Sequence, residues 1–256
     1  MSTTLQTDCL ATAQRLLQAR QEHRPIEDWP DALRPVSFDQ AYRVQAVQME
    51  TLGPIGGWKV GAANSVAPPT CAPLPQRSRY ASPDVPSSKE LSLRGIEVEI
   101  GLVLGQDLPP GQAPYSMEQI WQAVSQICVA VEIVESRFAQ RDSVGRLSTL
   151  ADLASHGALV YQPQGVAAQD MALLQPEWAR LQVGQQPLLQ GPNQNPAGEL
   201  TRLLIWLANQ GSHHLGGLQK GQVIITGTCL PMLYAAPGDR IQAAIQGIGE
   251  LNFICA

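Results

Sequence analysis

The chain has 256 residues, 44% of them hydrophobic, which is enough to bury a core as one domain or as one domain with an appendage. With 17 Lys plus Arg against 22 Asp plus Glu, a formal charge of -5 and no basic block, it offers nucleic acid no electrostatic foothold. Five scattered cysteines without a C-x-x-C pair exclude a disulfide framework and a zinc ribbon, and no apolar run reaches the roughly 18 residues of a membrane span, so a cytoplasmic protein with reduced thiols and no membrane partner is expected.

In chain order, Cys9, Leu10, Ala13, Leu16 and Leu17 recur at helical spacing and predict an amphipathic helix from Leu5 to about Gln21, with Pro25 beyond as a stop. Ser37 with Gln40 three residues on resembles a capping box, and Phe38, Ala41, Tyr42 and Met49 carry a second helix to Gly53. Residues 1–54 therefore read as a helical N-terminal region. From Ile55 the texture changes to short apolar runs between Gly, Pro and polar clusters, so residues 55–256 read as a β-rich domain. Residues 63–90, rich in Pro and Ser, predict a long irregular loop.

Strands are predicted at Ile96–Leu104, Val129–Val134, Ala158–Tyr161, Arg180–Leu189 folded about Gly184, Val223–Thr226, Ile241–Ile245 and Leu251–Ile254. Two helices interrupt them. One begins after Ser116, again with a Gln three residues on; the other runs from near Pro196 through Leu200, Leu203, Leu204 and Leu207 toward Gly211. The run "GPIGGWKVG" lacks G-x-G-x-x-G spacing and enters a strand, so it carries no dinucleotide role.

The stretch "GIEVEIGLVLG" is the most informative. In a strand, Glu97 and Glu99 share one face, roughly 6 to 7 Å apart, while Ile96, Val98 and Ile100 take the other. An isolated E-x-E is commonly the wet face of an edge strand, yet this one continues as "IGLVLG", apolar on both faces as in a covered strand. Glu132 lies in a second β-branched run, "VAVEIVESRF", where a lone buried carboxylate would be costly. Three such glutamates suggest one shared site, and a hard divalent cation such as Mg²⁺ or Mn²⁺ is a plausible occupant.

The chain resembles the fumarylacetoacetate hydrolase superfamily, in its branch of 2-oxopent-4-enoate (2-hydroxypentadienoate) hydratases and 4-oxalocrotonate decarboxylases. The resemblance is carried, in order, by "GGWKVG" from Gly56, "IEVEIGLVLGQDLP" from Ile96, "VAVEIVESR" from Val129, "ADLASHG" from Ala151, "NPAGELTRLLIWLANQ" from Asn195, "GQVIITGT" from Gly221 and "PGDRIQAAIQGIGELNF" from Pro237. It implies an α+β fold with a mixed β-roll core and a small helical lead-in. It also implies Glu97, Glu99 and Glu132 as metal ligands for Mg²⁺ or Mn²⁺, Lys59 as a proton-shuttling catalytic lysine, Ser155 as a catalytic serine near the substrate, and Thr226, Gly227 and Thr228 as a turn at the substrate's carboxylate end. Asp152 falls within the matched "ADLASHG" as a substrate-binding candidate. Apart from the resemblance, Lys59 reads equally as a strand lysine, Ser155 as a cap or turn serine and Thr226–Thr228 as a strand end.

The chain departs from the family pattern where hydratases carry an acidic residue after the lysine motif: Arg77 or Ser78 stands there, and Arg77 or Arg79 is a candidate for a second substrate carboxylate. Ser148 and Leu153 replace an Asp and an Asn around Asp152. No histidine occurs between His23 and His156, which disfavours hydrolysis by a His-Glu pair. His156, at a position that is small in the family pattern, reads as a pocket residue or a hydrogen-bonded core group, and His213 and His214 as helix-end residues.

The expected activity is a divalent-metal-dependent lyase reaction on a short unsaturated 2-oxo acid, most simply hydratase-like. The alternatives are 4-oxalocrotonate decarboxylase and, from another class, a catalytically weak 2-oxo acid binding or partner subunit. A homo-oligomer, or a complex with a related hydratase or decarboxylase, is the expected assembly.

Overall fold

The computed structural model describes residues 2–87, 91–111 and 114–255, with side chains from Cys9 onward. Helix α1 (Ser2–Glu22) buries Cys9, Ala13, Leu16 and Ala19, while Leu10 at the edge of the stripe is 45% exposed. Helix α2 (Phe38–Leu52) starts at Ser37, whose hydroxyl accepts the Gln40 amide N–H. The predicted reciprocal arm lands one residue upstream, on the Val36 N–H. Both helices pack against Phe138, Val144, Leu150 and Ala151, so the helical region shares a core with the body.

The body begins with β1 (Ile55–Gly61), β2 (Thr70–Pro75), β3 (Arg79–Ala81) and β4 (Gly95–Leu104). Helix α3 (Met117–Ala123), with a complete capping box from Ser116 and Gln119, runs directly into β5 (Val124–Val134). Helix α4 (Arg146–Ala151) precedes β6 (His156–Tyr161), β7 (Val166–Ala167), β8 (Ala179–Val183) and β9 (Leu189–Gly191). Helix α5 (Thr201–Trp206) passes into a π turn over Leu207–Gly211, and β10 (Val223–Thr228), β11 (Leu233–Tyr234), β12 (Arg240–Ile245) and β13 (Gly249–Ile254) complete the chain. Among the described residues no helix is long and apolar enough to cross a membrane, and all five cysteines are buried thiols outside any disulfide.

The larger sheet has the order β2-β1-β10-β4-β5-β6-β3, with β11 on β4 and β7 on β5. It is mixed: β1 with β10 and β3 with β6 run parallel, the rest antiparallel. A four-stranded sheet, β13-β12-β8-β9, packs on one face of β4 and β5. Alternation then sorts the side chains. Ile96, Val98, Ile100 and Leu102 of β4, with Ile127, Val129, Val131 and Ile133 of β5, bury against Leu181, Val183, Ile241 and Phe253 of the second sheet. Residues of opposite parity, including Glu97, Glu99 and Glu132, face the other way.

Three sequence expectations are corrected here. The loop expected over residues 63–90 contains β2 and β3, and residues 88–90 lie outside the described residues. Both missed strands sit at the ends of the sheet order, where the unpaired edge tolerates prolines such as Pro73 and Pro75 that argue against an interior strand. The helix expected near Pro196 begins at Thr201, because the Asn195 side chain accepts the Ala197 N–H and Gly198 takes φ 70°, holding the chain in a turn. The strand expected from Val129 starts at Val124. The hairpin about Gly184 is present, as β8 and β9.

Candidate functional site

Register builds the centre of the site. In the antiparallel β4–β5 pair, Glu97 stands directly opposite Glu132 and Glu99 opposite Ala130. One carboxylate oxygen from each of Glu97, Glu99 and Glu132 can be chosen so that all three lie within 4.8 Å of one another. Glu99 and Glu132 are fully buried and Glu97 is half-buried. Like charges directly opposed in a sheet are destabilising unless neutralised.

Part of the neutralisation comes from β1. Trp58 and Val60 point into the core, so Lys59 faces the glutamates, and its Nζ donates to Glu132 Oε2 at 2.5 Å and to the Ala154 carbonyl at 3.1 Å. An ammonium has three donors, which leaves one uncommitted. Burial pulls the Lys59 pKa down, but the Glu132, Glu97 and Glu99 carboxylates outweigh it and hold the amine above its usual range.

His156, at the start of β6, takes the other Glu132 oxygen: Nδ1 lies 2.9 Å from Oε1, and Nε2 lies 2.9 Å from Ser78 Oγ. Burial pushes this imidazole down to about 4, with Lys59 and Arg20 acting the same way against the pull of Glu132. Burial alone would raise Glu132, but Lys59 and His156 override it and hold the carboxyl below its ordinary value. A neutral imidazole beside an ionised Glu132 places its proton on Nδ1, so that Nε2 accepts from Ser78. The Ser78 hydroxyl also lies 2.9 Å from the Pro75 carbonyl, and its single proton serves one partner at a time.

Glu97 and Glu99 lack such support. Burial raises the Glu99 pKa well above the carboxylate range, with repulsion from Glu132 and Glu97 adding to it; burial and Glu132 also raise Glu97. Glu99 Oε2 accepts the Gly227 N–H at 2.5 Å, while Oε1 is buried with no hydrogen-bond partner. That orphaned oxygen is the observation that fits a cation: oxygen ligands from three carboxylates carry -3, Lys59 returns +1, and a divalent ion balances the remainder.

The turn Thr226–Thr228 reaches the cluster through its backbone. Gly227 takes φ 95°, a conformation that suits glycine, and its carbonyl and that of Thr226 accept the Asn195 side-chain amide at 3.0 and 2.8 Å. The Thr226 hydroxyl donates back to the Ile100 carbonyl and that of Thr228 to the Leu230 carbonyl, so neither is free for a ligand in this arrangement.

Ser155 sits in an unusual turn. Leu153, Ala154 and Ser155 have φ of 48°, 52° and 61°, three consecutive left-handed residues without a glycine. Each costs roughly 1–2 kcal/mol, and such strain concentrates at functional sites. The turn aims the Ala154 carbonyl at Lys59 and leaves the buried Ser155 hydroxyl without a partner. No sequence signal marks it, since Leu, Ala and Ser are unremarkable residues.

Two candidates are not brought into the glutamate cluster. Asp152 is buried under the turn, where its Oδ1 accepts from Arg137 Nε at 2.5 Å and its Oδ2 from the Arg137 backbone N–H at 3.0 Å. Arg77 is exposed and lines a separate cavity of about 540 Å³ beside α1. Residues that sequence reasoning did not assign to the centre are Asn195 and Ser78, and the contact of His156 with Glu132. The available signal was an arginine or serine, Arg77 or Ser78, in place of the usual acid, together with a histidine in place of a small residue.

The mixed sheet and its helical lead-in place the protein in a class, and residues 81–254 match the fumarylacetoacetate (FAA) hydrolase C-terminal family. The chain belongs to the fumarylacetoacetate hydrolase family. It is similar to a 2-keto-4-pentenoate hydratase of Paraburkholderia xenovorans, 28% identical over 94% of this chain and 92% of the relative, and to 2-hydroxyhexa-2,4-dienoate hydratase of Comamonas testosteroni, 27% identical over 93% and 94%. Among solved structures, 4-oxalocrotonate decarboxylase from Pseudomonas putida G7, complexed with magnesium and adipate, shares the fold with a TM-score of 0.82 over 96% of both chains at 22% identity.

Proposed function

We propose that this protein is a divalent-metal-dependent lyase acting on a short unsaturated 2-oxo acid, with hydration of a 2-keto-4-pentenoate-like substrate as its reaction. The observation that carries the proposal is the buried carboxylate cluster of Glu97, Glu99 and Glu132 with Lys59 set against it. The names of the full-length hydratase relatives support the same reading.

In this reading Glu97, Glu99 and Glu132 would hold Mg²⁺ or Mn²⁺, which would supply Lewis-acid stabilisation of the negative charge that develops on the 2-oxo acid. Lys59, held as an ammonium, uses its free N–H to protonate the dienol carbon skeleton and as the neutral amine recovers a proton from the 2-hydroxyl, giving an unsaturated 2-oxo acid across whose remaining double bond one water adds its H and OH. His156 and Glu132 fix the direction of the Lys59 nitrogen. The Gly227 N–H orients Glu99, and the unpartnered Ser155 hydroxyl is the donor offered to the substrate. Self-association, or association with a related hydratase or decarboxylase, belongs to the same proposal.

One observation favours a second reading. Arg77 or Ser78 stands where hydratases of the family carry an acid, and decarboxylation of 4-oxalocrotonate needs the electron sink but no base to place water.

The test is calorimetric titration of Mn²⁺, then of oxalate, into the wild type and a folded Glu97→Ala, Glu99→Ala double variant. Metal-dependent oxalate binding that is lost in the variant is expected. Absence of binding in both proteins would return the glutamates to a structural role. Water addition to 2-hydroxypenta-2,4-dienoate against CO₂ release from 4-oxalocrotonate separates hydratase from decarboxylase, and binding without either reaction identifies a partner subunit.

A further inference from the structure

Among the described residues, the cavity that Arg77 lines is walled by four arginines, Arg20, Arg24, Arg77 and Arg137, and by a single carboxylate, Glu135. That carboxylate is already saturated: it accepts the Ser92 N–H and hydroxyl, the Leu93 N–H and the Ser136 N–H. Asp152 neutralises Arg137. Arg20 is 4.0 Å from the same Asp152 oxygen and donates to the His156 carbonyl, but its Nε–H is buried without an acceptor. Among the described residues the side chains of Arg24 and Arg77 have neither an ion pair nor a hydrogen bond.

The Arg137–Asp152–Arg20 contacts brace α1 to the body, and a purely structural role accounts for them. It does not account for Arg24 and Arg77, which take no part in the brace yet line the same cavity. Burial is the main cause that pushes the Arg20 guanidinium down to about 9, with repulsion from Arg137 and Arg77 adding to it against the pull of Asp152 and Glu135. Guanidinium forks match planar and tetrahedral oxyanions, for which they make paired, charge-assisted hydrogen bonds.

We infer that this cavity is a second binding site, independent of the metal, for a small anion carrying at least two negative charges, a dicarboxylate or a phosphoryl group. It is separate from the glutamate centre: none of Lys59, Glu97, Glu99, Glu132, Ser155 or Gly227 lines it. The left-handed turn at residues 153–155 lies between them, with Lys59 bonded to Ala154 on one side and Arg137 to Asp152 on the other. The two are joined through Ser78, which lines the cavity and contacts His156, whose ring contacts Glu132. The inference does not depend on the lyase reading.

The test is calorimetric titration of inorganic phosphate and of malonate, in EDTA, into the wild type, an Arg24→Gln, Arg77→Gln double variant and the Glu97→Ala, Glu99→Ala variant, each checked for an intact melting transition. Both substituted arginines are exposed, so the first variant is expected to fold. The expected result is one equivalent of at least one anion bound by the wild type and by the glutamate variant, with affinity at least about tenfold weaker in the arginine variant; the anion bound more tightly identifies the source. No binding of either anion by the wild type overturns the inference. So does unchanged affinity in the arginine variant, or loss of binding in the glutamate variant.

Discussion

Glu97 and Glu132 are direct cross-strand partners in the antiparallel β4–β5 pair, two carboxylates facing each other on a buried sheet face. Opposed like charges of this kind destabilise a sheet by up to about 1 kcal/mol. Replacing one with a neutral isostere should therefore relieve the metal-free protein. Glu97→Gln is expected to raise the melting temperature in EDTA at pH 8 by about 2–4 °C, and to lose most of the further rise that Mn²⁺ gives the wild type. A lower melting temperature in EDTA would show that Glu97 stabilises the fold directly.

The effect of metal on stability should grow with pH. Because burial raises the Glu99 and Glu97 carboxyls, their contribution to metal-free stability is fully present below the unfolded carboxylate pKa and is lost as pH rises through the raised folded values. Metal binds the ionised forms. Melting scans should give a larger Mn²⁺-induced shift at pH 8 than at pH 5.5, and equal shifts would contradict the assignment.

His156 carries the opposite sign. Its folded pKa of about 4 lies below the ordinary imidazole value, so the stability it contributes is present above about 6.5 and is lost as pH falls toward 4. The full span corresponds to up to about 3 kcal/mol. Urea midpoints at pH 7 and pH 4.5 should converge in His156→Asn relative to the wild type, and an unchanged acid dependence would mean that another group controls it.

Lys59 should separate binding from chemistry. Lys59→Met removes the ammonium from Glu132 and leaves the three carboxylates in place. Turnover is expected to fall by roughly 10²-fold or more, while Mn²⁺ affinity holds or increases because a competing positive charge has gone. Loss of Mn²⁺ binding together with activity would make Lys59 a structural support of the cluster.

Asp152 should behave as a structural residue. Its carboxylate is fully buried against Arg137, and removing one partner of such a pair costs about 3–5 kcal/mol. Chemical denaturation of Asp152→Asn should show that loss. A variant with wild-type stability and only a raised KM would place Asp152 at the substrate.

The sequence by itself determined what depends on local periodicity and on motif order. Alternation along "IEVEI" was sufficient to put Glu97 and Glu99 on one face, and the apolar continuation marked a covered strand. The helical caps at Ser37 and Ser116 and the hairpin at Gly184 were equally local. Edge strands β2 and β3 were illegible because prolines and short length erase the alternation from which strands are read.

Only the tertiary structure decided the site's partners. Strand register set Glu132 opposite Glu97, the packing of β1 beside β10 turned Lys59 toward them, and β6 delivered His156 and its Ser78 contact from 78 positions apart in sequence. It likewise turned Asp152 away onto Arg137 and gathered Arg20, Arg24 and Arg77 around a cavity. The physical reason is that a pKa, a charge balance or a hydrogen-bond chain depends on distances between groups brought together by long-range pairing, and no local pattern in the chain encodes those distances.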